Sequence, residues 1–211
     1  MEQPSGFLAL PSGNRGPVVL VLHAWWGLNG TIRAICERLA AAGFVAFAPD
    51  LYHGKLATTI AEAEVLAREL EPNYQQAQAE IRQALAFLQQ YRPNVAVIGF
   101  SLGAFYALDL ANSAPEAIDR VVIYYGTGSD DVSQARAAYL GHFAENDPYE
   151  PREAVEHLRH SLQQAGLVAA LHIYPGTGHW FAEPDRSDAY QHGAAELAWQ
   201  RTLAFLQGHV L

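Results

Sequence analysis

The stretch VAVIGFSLGAFYALDLA, residues 95–111, decides how this chain is expected to fold. It begins with a continuous apolar run, typical of a strand buried on both faces, and ends with a helix-forming run. The turn between them reads Gly-Phe-Ser-Leu-Gly, so Ser101 lies between Gly99 and Gly103. A strand, a tight turn with serine at its apex and a helix favour a serine nucleophile. The alternative is that Ser101 is only the N-cap of the helix that follows.

The two glycines have a physical reason in this turn. The backbone of a nucleophile on so tight a turn is strained, and side chains on either side of it would collide. The turn also directs the N–H of Leu102 and the helix N-terminus toward an anion that forms there. We therefore expect Leu102 to supply one backbone donor of an oxyanion hole. The second is expected in the loop after an early strand, LHAWWG, where the N–H of Trp25 is the candidate.

Short apolar runs alternate with helical patterns over the rest of the chain. Strands are predicted at 18–22, 44–49, 95–99, 120–125, 139–144 and 168–174. Helices are predicted at 31–43, 58–70, 74–91, 103–112, 152–165 and 187–208. This alternation predicts one α/β domain over residues 1–211, with a mainly parallel sheet and helices on both of its faces. In such sheets, ligands bind at the carboxyl ends of the strands.

Composition and charge exclude several classes of function. The net charge is −9 with only 13 basic residues, which argues against binding to nucleic acid or to an anionic membrane surface. No apolar run approaches the roughly 20 residues that a membrane-spanning helix needs. The N-terminal residues do not read as a signal peptide, so a cytoplasmic location is expected. The single cysteine, Cys36, excludes an internal disulfide, and no metal-ligand spacing or cofactor motif is present.

A serine nucleophile needs a base, and the base needs a carboxylate to orient it. Seven histidines follow Ser101, and six of them fall in predicted strands, on helix faces or in the C-terminal tail. His179 differs, because it lies in the glycine-rich stretch YPGTGHWF directly after a predicted strand. A flexible backbone there can place the ring over the strand ends. His179 is therefore the predicted base.

The acid is expected in the loop after the strand AYLGHFA. Glu145 and Asp147 both lie in that loop, within AENDPYEP. Asp147 is favoured because it is further into the loop and Pro148 fixes the turn behind it; either acid could instead be a turn residue. Asp130 and Asp131, after an earlier strand, are the remaining choices.

Many aromatic residues fall in predicted loops at or close to strand ends, where they would form an apolar pocket for an acyl or alcohol group. They are Trp25, Trp26, Tyr52, Tyr125, Tyr149, Trp180 and Phe181. Some of these side chains are alternatively a cover for the core. The cations that could steer a substrate are Arg33, Lys55, Arg136 and Arg186, among which the sequence does not choose. His23 and His53, near strand ends, are interpreted as structural histidines; the alternative is that they shape the pocket or position a water.

These segments together resemble the dienelactone hydrolase family of α/β-hydrolases. The similar stretches are VVLVLHAWWGLNGTIRAICERLAAAGFVAFAPDLYHG, VAVIGFSLGAFYAL, RVVIYYG, HFAENDPYEP and IYPGTGHWFAEP, together with the last predicted helix. They follow the family's order over nearly the whole chain. The resemblance implies an α/β-hydrolase fold, a cofactor-free carboxylic ester hydrolase and a triad of Ser101, His179 and Asp147.

The sequence departs from the family's pattern at three positions. Dienelactone hydrolases proper have a cysteine nucleophile where this chain has Ser101, and a glutamate where it has Ala24. The two changes are consistent, since a thiol can be activated by ionisation whereas a serine hydroxyl relies on the histidine. The arginine that holds the substrate carboxylate in the specialists is replaced by Glu183. A charged Glu183 would repel an anionic substrate, so the expected substrate is a small neutral ester or lactone.

Two kinds of alternative remain open at this stage. The same triad could cleave a thioester, a peptide or a carbon–carbon bond. The chain could also be a non-catalytic binding protein that has kept the fold. The expected assembly is a monomer or a weak dimer.

Overall fold

A computed structural model of the protein describes residues 2–70, 72–128 and 131–209. The strands in these ranges are β1 (Gly6–Ala9), β2 (Val18–Leu22), β3 (Val45–Pro49), β4 (Val95–Phe100), β5 (Ile118–Tyr124), β6 (Ala138–Asn146) and β7 (Ala169–Gly178). The helices are α1 (Gly30–Ala41), α2 (Ile60–Leu70), α3 (Tyr74–Leu88), α4 (Leu102–Ser113), α5 (Arg152–Gln164) and α6 (His192–Leu206). The strands form one sheet in the order β1-β3-β2-β4-β5-β6-β7.

The sheet is parallel except at one edge. From β3 across to β7, each strand is parallel to its neighbours, whereas β1 pairs antiparallel with β3. The mainly parallel α/β sheet predicted from the sequence is thus confirmed. The prediction missed β1, because its four residues are too few to show a hydrophobic period.

Helices cover both faces of the sheet. Along the chain, β3 is added on one side of β2, whereas β4 and then β5 are added on the other side. Parallel strands are joined by right-handed crossovers. The helix between β2 and β3, α1, therefore lies on the opposite face of the sheet from α3 and α4. An ion pair of 3.0 Å joins Arg38 of α1 to Glu196 of α6, which places α6 beside α1. Every residue of β2, β3 and β4 is buried, as expected for strands covered on both faces.

Two helices begin later than their sequence pattern predicts. The second helix begins at Ile60 rather than 58, because the Thr59 hydroxyl accepts the Glu62 N–H at 3.3 Å while the Glu62 carboxylate accepts the Thr59 N–H at 3.2 Å. This reciprocal pairing is a capping box. The last helix begins at His192 rather than 187, because residues 180–190 form turns. One such turn is closed by the Tyr190 N–H, which donates to the Arg186 oxygen at 2.7 Å.

The parallel register brings four chain segments to one edge of the sheet. Ser101 follows β4, Tyr125 follows β5, Asp147 follows β6 and His179 follows β7. The carboxyl ends of these strands are neighbours, so the segments meet at the same edge. In the described residues, none of the helices combines the length and the apolar character that crossing a membrane requires.

Candidate active site

The turn that carries Ser101 has no room for side chains on either side. Ser101 has a φ of 49° and a ψ of −112°, which lies in a region that residues with a side chain rarely adopt. A Cβ on Gly99 would lie 2.3 Å from the Gly103 oxygen. A Cβ on Gly103 would lie 2.2 Å from the Leu22 oxygen. Glycine is therefore required at both positions for the turn to form and to pack against β2.

The Ser101 hydroxyl contacts the histidine rather than the helix. Its Oγ lies 3.0 Å from Nε2 of His179, within hydrogen-bond distance. The side chain makes no capping hydrogen bond to α4. The alternative reading of Ser101 as an ordinary N-cap therefore does not describe this turn.

The histidine is oriented by Asp147. Its Nδ1 lies 2.7 Å from Oδ2 of Asp147, and the two side chains are only 3% and 2% exposed. The other carboxylate oxygen, Oδ1, accepts the N–H groups of Tyr149 at 2.9 Å and Glu150 at 3.0 Å. Asp147 is thus held by backbone donors on one side and accepts the Nδ1–H on the other. In that tautomer, Nε2 of His179 is free to accept a proton from Ser101.

The other candidate acids lie elsewhere. Glu145 accepts the Gly176 N–H at 2.8 Å and so links the ends of β6 and β7 without contacting the histidine. Asp131 is exposed and accepts the Ser133 N–H at 3.0 Å. Asp130 lies outside the described residues. Among the described candidates, the carboxylate within hydrogen-bond distance of His179 is that of Asp147.

The two predicted oxyanion donors lie in segments that contact each other. The first turn of α4 packs on residues 22 and 23, because Gly103 leaves no gap to their backbone oxygens. This contact brings the loop with Trp25 next to the start of α4 at Leu102. None of the hydrogen bonds found in the described residues uses the N–H of Trp25 or Leu102. Both donors are therefore unpaired at the edge of the sheet where Ser101 lies.

Aromatic rings line the mouth of the site. Trp25 packs on Tyr149 and Trp180 with ring centroids 5.6 and 5.9 Å away, and Tyr149 and Trp180 lie 5.0 and 4.8 Å from the His179 ring. Trp26 is buried and packs on Trp180 with ring centroids 5.2 Å apart. Tyr149 is 44% exposed and Trp25 is half-buried, whereas Trp26 and Trp180 are buried. Tyr149 and Trp25 therefore form the solvent-facing side of this aromatic cluster of Trp25, Trp26, Tyr149 and Trp180, next to His179.

The other three predicted pocket residues have different surroundings. Tyr125 and Phe181 are fully buried; Tyr125 packs on the His179 ring at 5.0 Å and on the Phe181 ring at 5.6 Å. Tyr52 packs on His23 at 5.0 Å and lines a separate cavity of about 160 Å³ near α2 and α3. No ring contact joins Tyr52 to the aromatic cluster among the described residues.

The sequence predicted that Glu183 would present a charge to the substrate, but the structure buries its side chain. Its side chain is fully buried, and its Oε1 accepts the Tyr125 hydroxyl proton at 2.7 Å. Burial raises the pKa of Glu183 to about 8, so the carboxyl is mostly protonated at neutral pH. The expectation that Glu183 repels an anionic substrate is therefore wrong: an inward-facing, uncharged group presents no charge to the pocket.

The structure singles out one of the four candidate cations. The Arg186 guanidinium stacks over Trp26 at 4.2 Å and over Trp180 at 4.9 Å, and it pairs with Asp188 at 2.9 Å. Lys55 pairs with Glu69, Arg136 pairs with Glu116 and Arg33 stacks on Phe7. Of the four, Arg186 is the one that contacts the aromatic cluster.

The sequence reasoning missed Glu150 and Thr127. The Thr127 hydroxyl donates to Oε2 of Glu150 at 2.7 Å, which ties the loop after β5 to the loop that carries Asp147. Burial raises the pKa of Glu150; the nearby Asp147 also raises this pKa, whereas His179 lowers it. Glu150 follows Asp147 by three residues, but nothing in the sequence shows that Thr127 would approach it.

The remaining singled-out residues have structural surroundings. His23 is buried, donates from Nδ1 to the Ala24 oxygen at 2.7 Å and accepts the Leu51 N–H at 3.3 Å. Cys36 is buried in α1, and burial raises the pKa of its thiol to about 12. Within the described ranges, no group of three His, Cys, Asp or Glu side chains could hold a metal ion.

Comparison with known proteins agrees with this architecture. The chain is 31% identical to "Protein usf" of Aquifex pyrophilus, over 97% of this chain and 93% of that protein. It is also 31% identical to the "Probable 2-oxo-3-(5-oxofuran-2-ylidene)propanoate lactonase" of Bradyrhizobium sp, over 99% of this chain and 91% of that protein. A solved structure of a dienelactone hydrolase-like promiscuous phosphotriesterase from metagenomic libraries has the same fold. Its TM-score is 0.84 at 21% identity, covering 96% of this chain and 91% of that chain.

A family model described as the dienelactone hydrolase family matches residues 5–210. The match spans nearly the whole chain and includes the strand ends that carry Ser101, Asp147 and His179. The family and the class of enzyme predicted from the sequence are thereby confirmed. The chain belongs to the dienelactone hydrolase family, and it has that family's α/β-hydrolase fold.

Proposed function

We propose that this protein is a serine hydrolase that cleaves small carboxylic esters or lactones through an acyl-serine intermediate. One observation carries the proposal, namely the chain of hydrogen bonds from Ser101 through His179 to Asp147, with contacts of 3.0 and 2.7 Å. The family supports hydrolysis of lactones, which are cyclic carboxylic esters. The Bradyrhizobium relative is named a probable lactonase, which supports the same bond type.

The first half of the reaction acylates Ser101. His179 Nε2 takes the hydroxyl proton as Oγ bonds to the carbonyl carbon, and the carbonyl oxygen becomes an oxyanion. In this mechanism, the N–H groups of Trp25 and Leu102 stabilise that charge, and each such donor is typically worth on the order of 100- to 1,000-fold in rate. The leaving oxygen then takes the proton from Nε2 as its bond to carbon breaks. In a lactone, the leaving group stays attached to the acyl chain.

The second half releases the product acid. Water gives a proton to His179 Nε2 as its oxygen bonds to the acyl carbon, and Ser101 Oγ leaves with the proton. Asp147 stabilises the imidazolium in both halves, because its carboxylate is already desolvated and aligned. No step requires a group other than the side chains and backbone donors described above.

The aromatic cluster indicates what kind of substrate group binds beside the triad. Tyr149 is exposed and Trp25 is half-buried, and the Tyr149 ring packs on the His179 ring, which favours an apolar acyl or alcohol group beside the histidine. We therefore expect the substrate to be a small ester with an alkyl or aryl substituent.

A covalent probe tests the proposal directly. Wild type, Ser101→Ala and the control Ser113→Ala are treated with a fluorophosphonate and weighed by intact-protein mass spectrometry. Ser113 is an exposed serine at the other end of α4. Turnover of p-nitrophenyl acetate and butyrate is measured in parallel. We expect one adduct and turnover in wild type and Ser113→Ala, and no adduct with at least about a 10³-fold lower kcat in Ser101→Ala.

One result would overturn the proposal. If well-folded wild type forms no adduct and turns over neither ester, Ser101 is not a nucleophile and the turn is only structural. That outcome would favour a binding function. Thioesters, peptides and substrates with activated carbon–carbon bonds, offered in the same assay, separate the other bond types that a serine triad can cleave.

A further inference from the structure

The loop that carries His179 contains a second buried acid. Glu183 lies four residues after His179 in the turns that follow β7, and its side chain is fully buried. One carboxyl oxygen accepts the Tyr125 hydroxyl proton at 2.7 Å. The other, Oε2, has no hydrogen-bond partner among the described residues. A carboxyl group with one donor and one orphaned oxygen is better suited to a neutral acid than to an anion.

Tyr125 connects this acid to the histidine. It follows β5, its N–H donates to the His142 oxygen of β6 at 2.7 Å, and its ring packs on the His179 ring at 5.0 Å. Its φ of 35° is rare for a residue with a bulky side chain, and such a conformation persists only where the surroundings hold it. The hydroxyl bond to Glu183 is the polar contact that joins Tyr125 to the loop of His179.

We propose that Glu183 in its uncharged form is a positioning residue for His179. Through Tyr125, it holds the loop of residues 179–183 against the end of β5 and so keeps Nε2 within reach of Ser101. This inference deepens the proposed function and rests on it, because it concerns the alignment of the proposed base. Glu183 touches neither the substrate nor the reacting atoms in this account.

The groups around Glu183 determine when it becomes charged. Tyr125 faces it from the end of β5, and Asp185 and Arg186 face it from its own loop. The pKa of Glu183 is raised to about 8, with burial as the largest cause; Asp185 also raises this pKa, while Tyr125 and Arg186 lower it. Burial also raises the pKa of Tyr125 well above 10, so Tyr125 keeps its proton where Glu183 loses one.

Ionisation of Glu183 should loosen the loop. A buried carboxylate that accepts only one hydrogen bond draws in water or turns toward the guanidinium of Arg186. Either response changes the packing of Tyr125 against His179. Because alignment of Ser101 and His179 acts in the transition state, the loss should appear in kcat and leave KM unchanged.

The test compares pH profiles of three variants with wild type. We would measure kcat and KM for p-nitrophenyl acetate between about pH 6 and 10, corrected for spontaneous hydrolysis. Rates are expressed per active site, counted by fluorophosphonate labelling. Glu183→Gln mimics the protonated acid, because its amide oxygen still accepts from Tyr125. Tyr125→Phe removes the connecting hydroxyl. Tyr139→Phe is the matched control, since Tyr139 is buried in β6 with a hydroxyl that has no partner among the described residues.

In wild type and Tyr139→Phe, we expect kcat to fall above an apparent pKa of about 8. Glu183→Gln should keep kcat within about threefold at pH 7 and should not fall above pH 8. Tyr125→Phe should lower kcat at pH 7 by roughly 10- to 100-fold and should not show the fall above pH 8, because the hydroxyl that connects Glu183 to His179 is gone.

Two results overturn this inference while leaving the proposed function intact: an alkaline fall that persists in Glu183→Gln, or a Tyr125→Phe profile equal to that of Tyr139→Phe. If Glu183→Gln does not fold, the Tyr125→Phe profile decides by itself. Absence of adduct and turnover in folded wild type is a different result, because it removes the proposed function.

Discussion

At the scale of single residues, the backbone around His179 and its hydrogen-bond partner Ser101 is strained. Ser101, Tyr125 and Trp180 have φ values of 49°, 35° and 65°, and each lies beside or within contact of His179. Residues with positive φ that are not glycine are uncommon, and they concentrate at functional sites. The strain at Ser101 could be predicted from the flanking glycines. The strain at Tyr125 and Trp180 could not, because neither residue type favours that conformation.

The assignment of the acid makes a sharp prediction at this scale. Replacing Asp147 with Asn keeps the shape but offers an amide to Nδ1, so it favours the wrong tautomer of His179. We expect kcat to fall by roughly 10³- to 10⁴-fold in Asp147→Asn. Glu145→Gln is the matched control, because its amide oxygen can still accept the Gly176 N–H, and its kcat should stay within about threefold of wild type. The opposite pattern would assign the role to Glu145.

At the scale of elements, a series of buried side-chain hydrogen bonds joins α6 to the sheet. The Thr202 hydroxyl of α6 lies 2.8 Å from the Tyr124 hydroxyl and 3.0 Å from His142 Nε2. The other ring nitrogen of His142 lies 2.8 Å from the Tyr174 hydroxyl. Burial lowers the pKa of His142 well below its usual value, so the ring is neutral, with one nitrogen donating and the other accepting. These hydrogen bonds thus link α6 to β5, β6 and β7.

A substitution of Thr202 tests these hydrogen bonds, because its hydroxyl contacts both Tyr124 and His142. Thr202→Val keeps the shape but removes the hydroxyl, so it leaves Tyr124 and His142 with unpaired polar groups in the core. We expect the free energy of unfolding to fall by about 1–3 kcal/mol in urea titrations. Thr202→Ser, which keeps the hydroxyl, should lose less. A Thr202→Val variant as stable as wild type would show that these hydrogen bonds contribute no net stability.

The elements themselves differ in how well the sequence predicts them. The strands at 18–22 and 95–100 and helix α4 have strong local patterns, and the structure has them close to the predicted bounds. The loop of residues 179–191 was predicted worse, since a helix was expected from 187. Its shape depends on contacts from elsewhere, such as the stacking of Arg186 on Trp26 and the bond from Asn29 to Asp185 at 2.7 Å. Local periodicity contains no signal for such contacts.

At the scale of the whole molecule, Glu183 should make stability depend on pH. Its pKa is about 8 in the folded protein and 4.5 ordinarily, so between those values the folded state binds a proton that the unfolded state does not. The stability contribution of this group is therefore fully present below about pH 4.5 and is lost as pH rises toward about 8. Glu183→Gln removes this titration without removing the hydrogen bond from Tyr125.

The measurement is the free energy of unfolding of wild type and Glu183→Gln by urea at about pH 5, 7 and 9. Other carboxyl groups titrate equally in both proteins, so the difference between them isolates Glu183. We expect wild type to lose stability relative to Glu183→Gln from pH 5 to 9, mostly before pH 8. A difference that does not change with pH would show that Glu183 ionises normally in the folded protein.

Local patterns were enough to predict the parallel α/β sheet, the family and the turn around Ser101. These patterns are apolar runs, helical periods and glycines at fixed offsets. Chain order and loop composition also indicated His179 and Asp147, which the structure brings within 2.7 Å of each other. The folded structure was needed to show which aromatic rings face solvent, that Thr127 contacts Glu150 and that Glu183 is buried against Tyr125. The burial of a polar group and its hydrogen-bond partner depend on segments that are far apart in the sequence. Burial and partner together determine the charge that the side chain carries.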